Sequence, residues 1–293
     1  LVAELIQEVA ADPASFGMVA GHEVSFVTPD ESWTARELVG GDTVDDQGRL
    51  RFAPGVVLEA LTQDRWLVLD EANRADMDRI FGSLLTWLAG QPVDVGRVSS
   101  DPGSGSVVLG WATSPNCEVQ GAERLRADDP GTEPVEYLAG QEWRLLGTYN
   151  ALDAQRVFRF GVALGRRFAH VPVPAPGVEE FRRAAEPYLA VLAPGLIDDV
   201  RRCLVQMYAA HRSVGAAALG PAVFLDIPGY VHLGAASAAP LPELLAESYL
   251  MSLGTWLARL EEDELDLIGS SLGSQTVLGD QWAWVREQLA SLR

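Results

Sequence analysis

Apolar residues in this chain recur with two different periods. Leu1, Leu5, Ile6 and Val9 fall at helical spacing, so the chain opens in an amphipathic helix. After the Ala11-Asp12-Pro13 break, His22 to Thr28 alternates, with Val24, Phe26 and Thr28 on one side and Glu23, Ser25 and Val27 on the other. That is the period of a strand. A turn-rich stretch leads to Gly40-Gly41, and Phe52 to Leu61 reads as a short helix entered through Pro54-Gly55. Trp66-Leu67-Val68-Leu69 is a continuous apolar run, the pattern of a parallel strand buried on both faces, and it ends in two carboxylates, Asp70 and Glu71. Ile80, Phe81, Leu84, Leu85 and Leu88 predict a helix closed by Gly90. Trp143 to Thr148 is a second buried-strand pattern ending at Asn150. A helix is predicted over Ala154 to Leu164, and a last short strand over Phe168 to Val173.

Two regions depart from this alternation. Residues 91–140 carry Asp101-Pro102-Gly103-Ser104-Gly105, Asp128-Asp129-Pro130-Gly131 and short strand-like pieces such as Val107-Val108-Leu109, which predicts a hairpin-bearing insertion with long loops. The proline cluster from Pro172 to Pro176 marks a domain boundary. Beyond it the pattern is helical: Val178 to Leu192, Leu196 to Arg212, Leu241 to Leu260 and Gln281 to Leu292, with Pro221 to Leu233 as an extended apolar link. The expected organisation is therefore a three-layer α/β core over residues 1–172 and a smaller helical domain over 173–293.

Composition narrows the chemistry. With 293 residues, 48% of them apolar, the chain can bury one large core or two modest ones. Its net charge of −19 argues against wrapping nucleic acid in a global basic field. No apolar run is long enough to predict a membrane span, and the opening segment has no basic region before an apolar core, so no signal peptide is predicted. Two cysteines, Cys117 and Cys203, cannot build a disulfide framework, and a reducing, cytoplasmic setting is the expectation. All 22 residues counted as Lys or Arg are arginine. The absence of lysine excludes Schiff-base chemistry, a Ser-Lys dyad and a self-contained phosphate loop, whose Lys reaches the terminal phosphates.

An apolar strand that delivers adjacent carboxylates to its carboxyl end is how a nucleotide-hydrolysing sheet presents a Mg²⁺-associated Asp and a neighbouring base. Here Asp70-Glu71-Ala72-Asn73-Arg74-Ala75 is followed by Ile80-Phe81-Gly82-Ser83-Leu84-Leu85. Farther on come Leu146-Gly147-Thr148-Tyr149-Asn150-Ala151-Leu152-Asp153 and Ala163-Leu164-Gly165-Arg166-Arg167-Phe168. This succession resembles the AAA+ ATPases of the MoxR, dynein-related and McrB-like branch. Thr28-Pro29-Asp30, Leu38-Val39-Gly40-Gly41 and Phe52-Ala53-Pro54-Gly55 extend the resemblance upstream, so that it covers residues 1 to about 173 in order.

The resemblance implies a P-loop NTPase-type parallel sheet with a C-terminal helical lid. It also implies hydrolysis of ATP, with GTP as the alternative, with Mg²⁺ as cofactor. Asp70 would hold Mg²⁺ through water, Glu71 would polarise the attacking water, and Asn150 would orient it. Asn73 and Arg74 would extend the nucleotide-binding edge. Arg167, with Arg166 as second candidate, would be an arginine finger acting on a neighbouring copy in a homo-oligomeric, hexameric ring that remodels a protein or nucleic-acid partner. Two departures from the family pattern stand out. The Gly-rich loop with its Lys is absent, and Leu1 to Leu5 resembles the helix that follows it, so the sequence is expected to start just after that loop. As written, the chain is expected to bind nucleotide weakly and not to turn it over. Leu219-Gly220-Pro221-Ala222 has Ala where many relatives carry a lid Arg. A non-hydrolysing scaffold built on the same fold is the alternative reading.

Other motifs carry less. Gly269-Ser270-Ser271-Leu272-Gly273 matches Gly-x-Ser-x-Gly but follows an acidic run rather than a buried strand, so a loop is expected there and an α/β-hydrolase reading on Ser271 is weak. His22, His170, His211 and His232 lack metal-ligand spacing. Leu204, Met207 and Tyr208 read as core, the run at 261–266 as a solvated acidic face, and Trp282 and Trp284 as core packing.

Overall fold

Trp66 to Leu69 forms the middle of a parallel sheet, and the computed structural model shows why those residues belong there: Leu67, Val68 and Leu69 are shielded on both faces. The structure describes residues 2–112, 122–125 (backbone only), 134–149, 158, 161–215, 219–237, 239–272 and 278–292. They fall into two units, Leu1–His170 and Val171–Arg293.

The first unit runs α1 (Val2–Ala11), β1 (Glu23–Val27), α2 (Ala35–Leu38), β2 (Gly40–Val44), β3 (Leu50–Pro54), α3 (Val56–Thr62) and β4 (Arg65–Leu69). It continues with α4 (Met77–Ile80), β5 (Val93–Arg97), β6 (Ser106–Trp111), β7 (Ala122–Leu125), β8 (Val135–Ala139), β9 (Leu145–Gly147) and α5 (Val162–Gly165). Among the described residues β1, β4 and β9 form a parallel sheet with β4 in the centre, in a register that aligns Val27, Leu69 and Gly147. Parallel neighbours need crossovers, and α3, packed on β4, lies within the connection from β1. The fold is thus α/β, with a parallel sheet, helices and a helical C-terminal part.

The stretch from 40 to 61 corrects the expectation of a helix from Phe52. Phe52 to Pro54 ends β3, which pairs antiparallel with β2, and the helix α3 begins only at Val56. Glycine makes the pairing possible: Gly40 has φ of +130°, and a Cβ there would lie 2.4 Å from the Ala53 carbonyl oxygen. The hairpin turn is closed by Asp45, whose Oδ1 accepts the Gln47 and Arg49 amides, each at 2.9 Å. The Arg49 amide bond is the largest of the effects that hold the Asp45 carboxyl below its usual range.

Between 91 and 140 the strands β5, β6, β8 and β7 form a separate four-stranded mixed sheet, in which β6 and β8 run parallel. Indoles tie this region to the start of β4. Trp87 and Trp111 stack at 5.0 Å, and Trp143 Nε1 donates to the Arg65 carbonyl at 2.7 Å. The helix predicted through Leu88 is instead broken: α4 stops at Ile80, and two 3-10 turns, Gly82–Leu84 and Trp87–Ala89, follow it to Gly90. The strand predicted over Phe168 to Val173 does not form. Val171 and Val173 are exposed and Pro172 has no N–H to give a ladder.

The second unit contains α6 (Val178–Leu189), α7 (Pro194–Ser213), α8 (Ala222–Leu225), α9 (Ile227–Gly234), α10 (Leu241–Leu257), α11 (Glu262–Leu272) and α12 (Trp282–Ala290). Its core centres on Phe181 stacked on Tyr208 at 4.0 Å, with Phe224, His211 and Tyr249 beside them. The apolar link expected at 221–233 is two helices. Phe224, Ile227 and Val231 form a buried stripe at helical spacing, and Pro228 sits in the first turn of α9, where no donor is needed. The loop expected at 269–273 is also corrected as far as Leu272, because α11 runs through it. A Cβ at Gly269 would lie 2.1 Å from Trp282 Nε1, so that glycine lets α12 close on α11. No helix among the described residues is long and apolar enough to cross a membrane.

Candidate active site

The carboxyl end of β4 is where the sheet and the acidic residues meet. The ladder continues one step past the strands: Asp70 donates its amide to Val27 O at 2.9 Å, and Thr148 donates its amide to Leu69 O at 3.0 Å. Asp70 and Thr148 therefore leave the sheet at the same edge. The chain then turns sharply at Glu71, which has φ of +52°, a left-handed conformation uncommon for a non-glycine residue. Thr148 secures that turn. Its hydroxyl donates to Asp70 Oδ1 at 2.6 Å and accepts the Glu71 amide at 2.9 Å, while its carbonyl accepts the Ala72 amide at 2.9 Å.

One hydroxyl thus fixes both adjacent carboxylate residues. Strained backbone persists where its surroundings over-determine it, and three bonds from one neighbouring residue do so here. The Glu71 carboxylate points toward its own chain: Arg74 Nε lies 2.5 Å from Glu71 Oε2, with both side chains substantially exposed. Asn73 is buried, and its carbonyl accepts the Phe158 amide at 3.0 Å.

Arg166 and Arg167 follow α5, and both are exposed. Leu164 anchors that helix in the core, and Phe168 meets Phe81 edge-to-face at 6.0 Å. Among the described residues no ion pair joins either guanidinium to Asp70 or Glu71. Asn150 lies outside the described residues, as does most of the segment 154–164 predicted as a helix. The pattern reading passed over Thr148 and Asp78. Asp78, on α4, accepts the amide of Gly161 at the start of α5. Thr148 was visible as a polar residue closing an apolar strand; Asp78 carried no signal beyond its place in the first turn of a short helix.

Of the remaining candidates, Ser271 and His211 belong to the helical unit. The Ser271 hydroxyl lies 3.4 Å from that of Ser213, and His211 shares a buried 2.7 Å hydrogen bond with the Tyr249 hydroxyl. Among the described residues, no group of three or more His, Cys, Asp or Glu is placed to hold a metal.

Comparison with known proteins identifies a family. Residues 14–168 match the family model described as an AAA domain of the dynein-related subfamily. A solved structure from Cytophaga hutchinsonii, described as a candidate ATPase, is 12% identical over 78% of this chain and 68% of its own, with a TM-score of 0.29.

Proposed function

Because the chain belongs to the dynein-related subfamily of AAA domains, we propose that it is the nucleotide-hydrolysing module of a MoxR- or McrB-like AAA+ machine. It would turn over ATP, or GTP in the alternative, and use that turnover to remodel a protein or nucleic-acid partner. One observation carries the reading: the Thr148 hydroxyl holds Asp70 and Glu71 together at the carboxyl end of the central parallel strand. That edge is where open parallel α/β sheets take their ligands.

The residues present fit Mg²⁺. Among the described residues the edge offers hard carboxylate oxygens, too few for an all-protein cage, which suits an ion that keeps several waters and takes its other ligands from substrate phosphates. Asp70 would hold it, and bound Mg²⁺ would neutralise charge developing on the phosphate oxygens. Glu71 would polarise the attacking water once its carboxylate leaves Arg74. Asn150, two residues beyond Thr148, would orient that water. Asn73 and Arg74 extend the nucleotide-binding edge, Asn73 from a buried position. Phosphoryl transfer needs positioning and charge stabilisation more than covalent help, so polar groups of this kind suffice.

Arg167, with Arg166 beside it, is the finger in this reading. It would complete the site of a neighbouring copy in a head-to-tail ring, six-membered by family resemblance. The helical unit would serve as the lid. The test is Glu71→Gln in the intact protein, with hydrolysis and nucleotide binding measured separately. Loss of an acid–base group costs about 10²- to 10⁴-fold in rate, so turnover should collapse while binding persists. Nucleotide binding without turnover in the unmodified protein would favour the scaffold reading instead.

A further inference from the structure

The exposed pair Arg166–Arg167 follows a helix of only four residues, Val162–Gly165. So short an element cannot hold its own orientation, because one helical turn is a costly nucleus with almost no propagation behind it. What holds it is the segment that follows β4. Asp78, half-buried on α4, accepts the amide of Gly161, the cap residue of α5. The Asn73 carbonyl accepts the Phe158 amide at 3.0 Å, three residues before that cap. Phe81, one residue past α4, packs edge-to-face on Phe168, directly after Arg167. Three ties therefore run from 73–81 to 158–168, and they bracket the arginine pair on both sides.

The fit at the middle tie is close. Gly161 has φ of −70°, an ordinary value, so nothing in its backbone calls for glycine. Space does: a Cβ there would lie 2.8 Å from both carboxylate oxygens of Asp78 and 2.9 Å from its Cγ. Asp78 makes no hydrogen bond or ion pair with Asp70, Glu71 or Arg74 among the described residues, so its bond to Gly161 is separate from the carboxylate edge.

We propose that Asp78 is a positioning residue for the Arg166–Arg167 pair, setting the angle at which α5 presents the two guanidiniums and linking that angle to the nucleotide edge at Asp70–Arg74. The proposal rests on the reading of Arg167 as a finger. In a ring, a change in the 70–81 segment of one copy would then be felt at the site its arginine completes in the next. The bond is charge-assisted and directional, so it constrains orientation more than a packing contact does.

Two measurements test this. On the 293-residue chain, amide exchange at Gly161 and Val162 should be faster in Asp78→Ala than in the unmodified chain, with Asp78→Asn close to the latter because its amide oxygen can still accept the Gly161 N–H. In the intact hydrolysing protein, Asp78→Ala and Gly161→Ala should each lower kcat about ten- to a hundred-fold, the scale expected when a catalytic group is displaced by about 1 Å. KM for the Mg²⁺–nucleotide should change less than about two-fold, Asp78→Asn should restore most of the rate, and Asp78→Ala should add nothing in an Arg167→Ala background. Unchanged exchange in Asp78→Ala would remove the tie itself. A kcat loss that adds fully to that of Arg167→Ala, or a KM effect as large as the kcat effect, would overturn the positioning role. Normal hydrolysis by Arg167→Ala would instead remove the finger reading, and the proposal with it, while leaving the exchange result standing.

Discussion

Thr148 and Asp70 sit on neighbouring strands, 78 residues apart in sequence, and share a hydrogen bond of 2.6 Å at the end of the sheet. The same hydroxyl accepts the Glu71 amide at 2.9 Å, so it braces a left-handed residue at the edge. Thr148→Val keeps the shape and removes both bonds. Leaving a part-buried donor and acceptor unpaired costs about 1–3 kcal/mol, so the denaturant midpoint of the first unit should fall by a corresponding amount. Hydrolysis by the intact protein should fall with it, and Thr148→Ser should restore both.

The Glu71–Arg74 pair makes a contrasting case. At 2.5 Å it is short, but the two side chains are 42% and 57% exposed. Exposed ion pairs contribute about 0–1 kcal/mol, so Arg74→Ala should change the unfolding free energy by no more than about 1 kcal/mol. Any large change in turnover would then be a change at the site rather than in folding. Thermal melts and steady-state kinetics on the same preparation separate the two.

Arg167→Ala should cut hydrolysis to a small residual rate while nucleotide binding stays nearly intact. Arginine fingers contribute on the order of a thousand-fold or more in rate. Mixing Arg167→Ala with Glu71→Gln copies should recover activity where an intact finger meets an intact carboxylate edge, which only a shared site allows. Parallel loss of binding and turnover in Arg167→Ala would mark a structural arginine.

Burial pushes the Tyr249 hydroxyl well above the ordinary tyrosine range. Its ionisation in the unfolded chain falls near pH 10 (roughly). The folded value lies higher, so the group's contribution to stability is fully present below that pH and is lost as pH rises above it. Alkaline unfolding of the helical unit should therefore steepen above about pH 10, and Tyr249→Phe should flatten that slope. Tyrosinate absorbance should show the Tyr249 phenol titrating only on unfolding. A tyrosine count that titrates fully in the folded protein would contradict this.

The chain contains no lysine. Phosphate binding in folds of this type draws on backbone amides of a glycine loop, a helix N-terminus and a loop Lys. Calorimetric titration of the 293-residue chain with Mg²⁺–nucleotide should therefore find weak binding or none. Micromolar affinity would mean that arginines supply the phosphate contacts.

The central strand was legible because a run of four apolar residues has few ways to be buried, and a parallel sheet covered on both faces is the common one. Asp70 and Glu71 follow directly from it, as the first polar residues after a buried run. The hairpin from Gly40 to Pro54 was not legible. Its pairing depends on what Gly40 allows across the strand, and only the packed position of Ala53 reveals that. The helices over 222–234 were missed because Pro221, Pro228 and Gly229 masked a buried stripe that emerges only once α9 and α10 are seen packed together.

The central buried strand, the carboxylate pair at its end and the absence of a lysine are local properties of the chain, carried by neighbouring residues and readable without coordinates. The placement of Thr148 over Asp70 and of Asp78 against Gly161 is not local. Those pairs are 78 and 83 residues apart, brought together by the parallel register of β4 with β9 and by the packing of α4. Register sets which side chains meet across a sheet, and no periodicity within either strand encodes where its partner will begin.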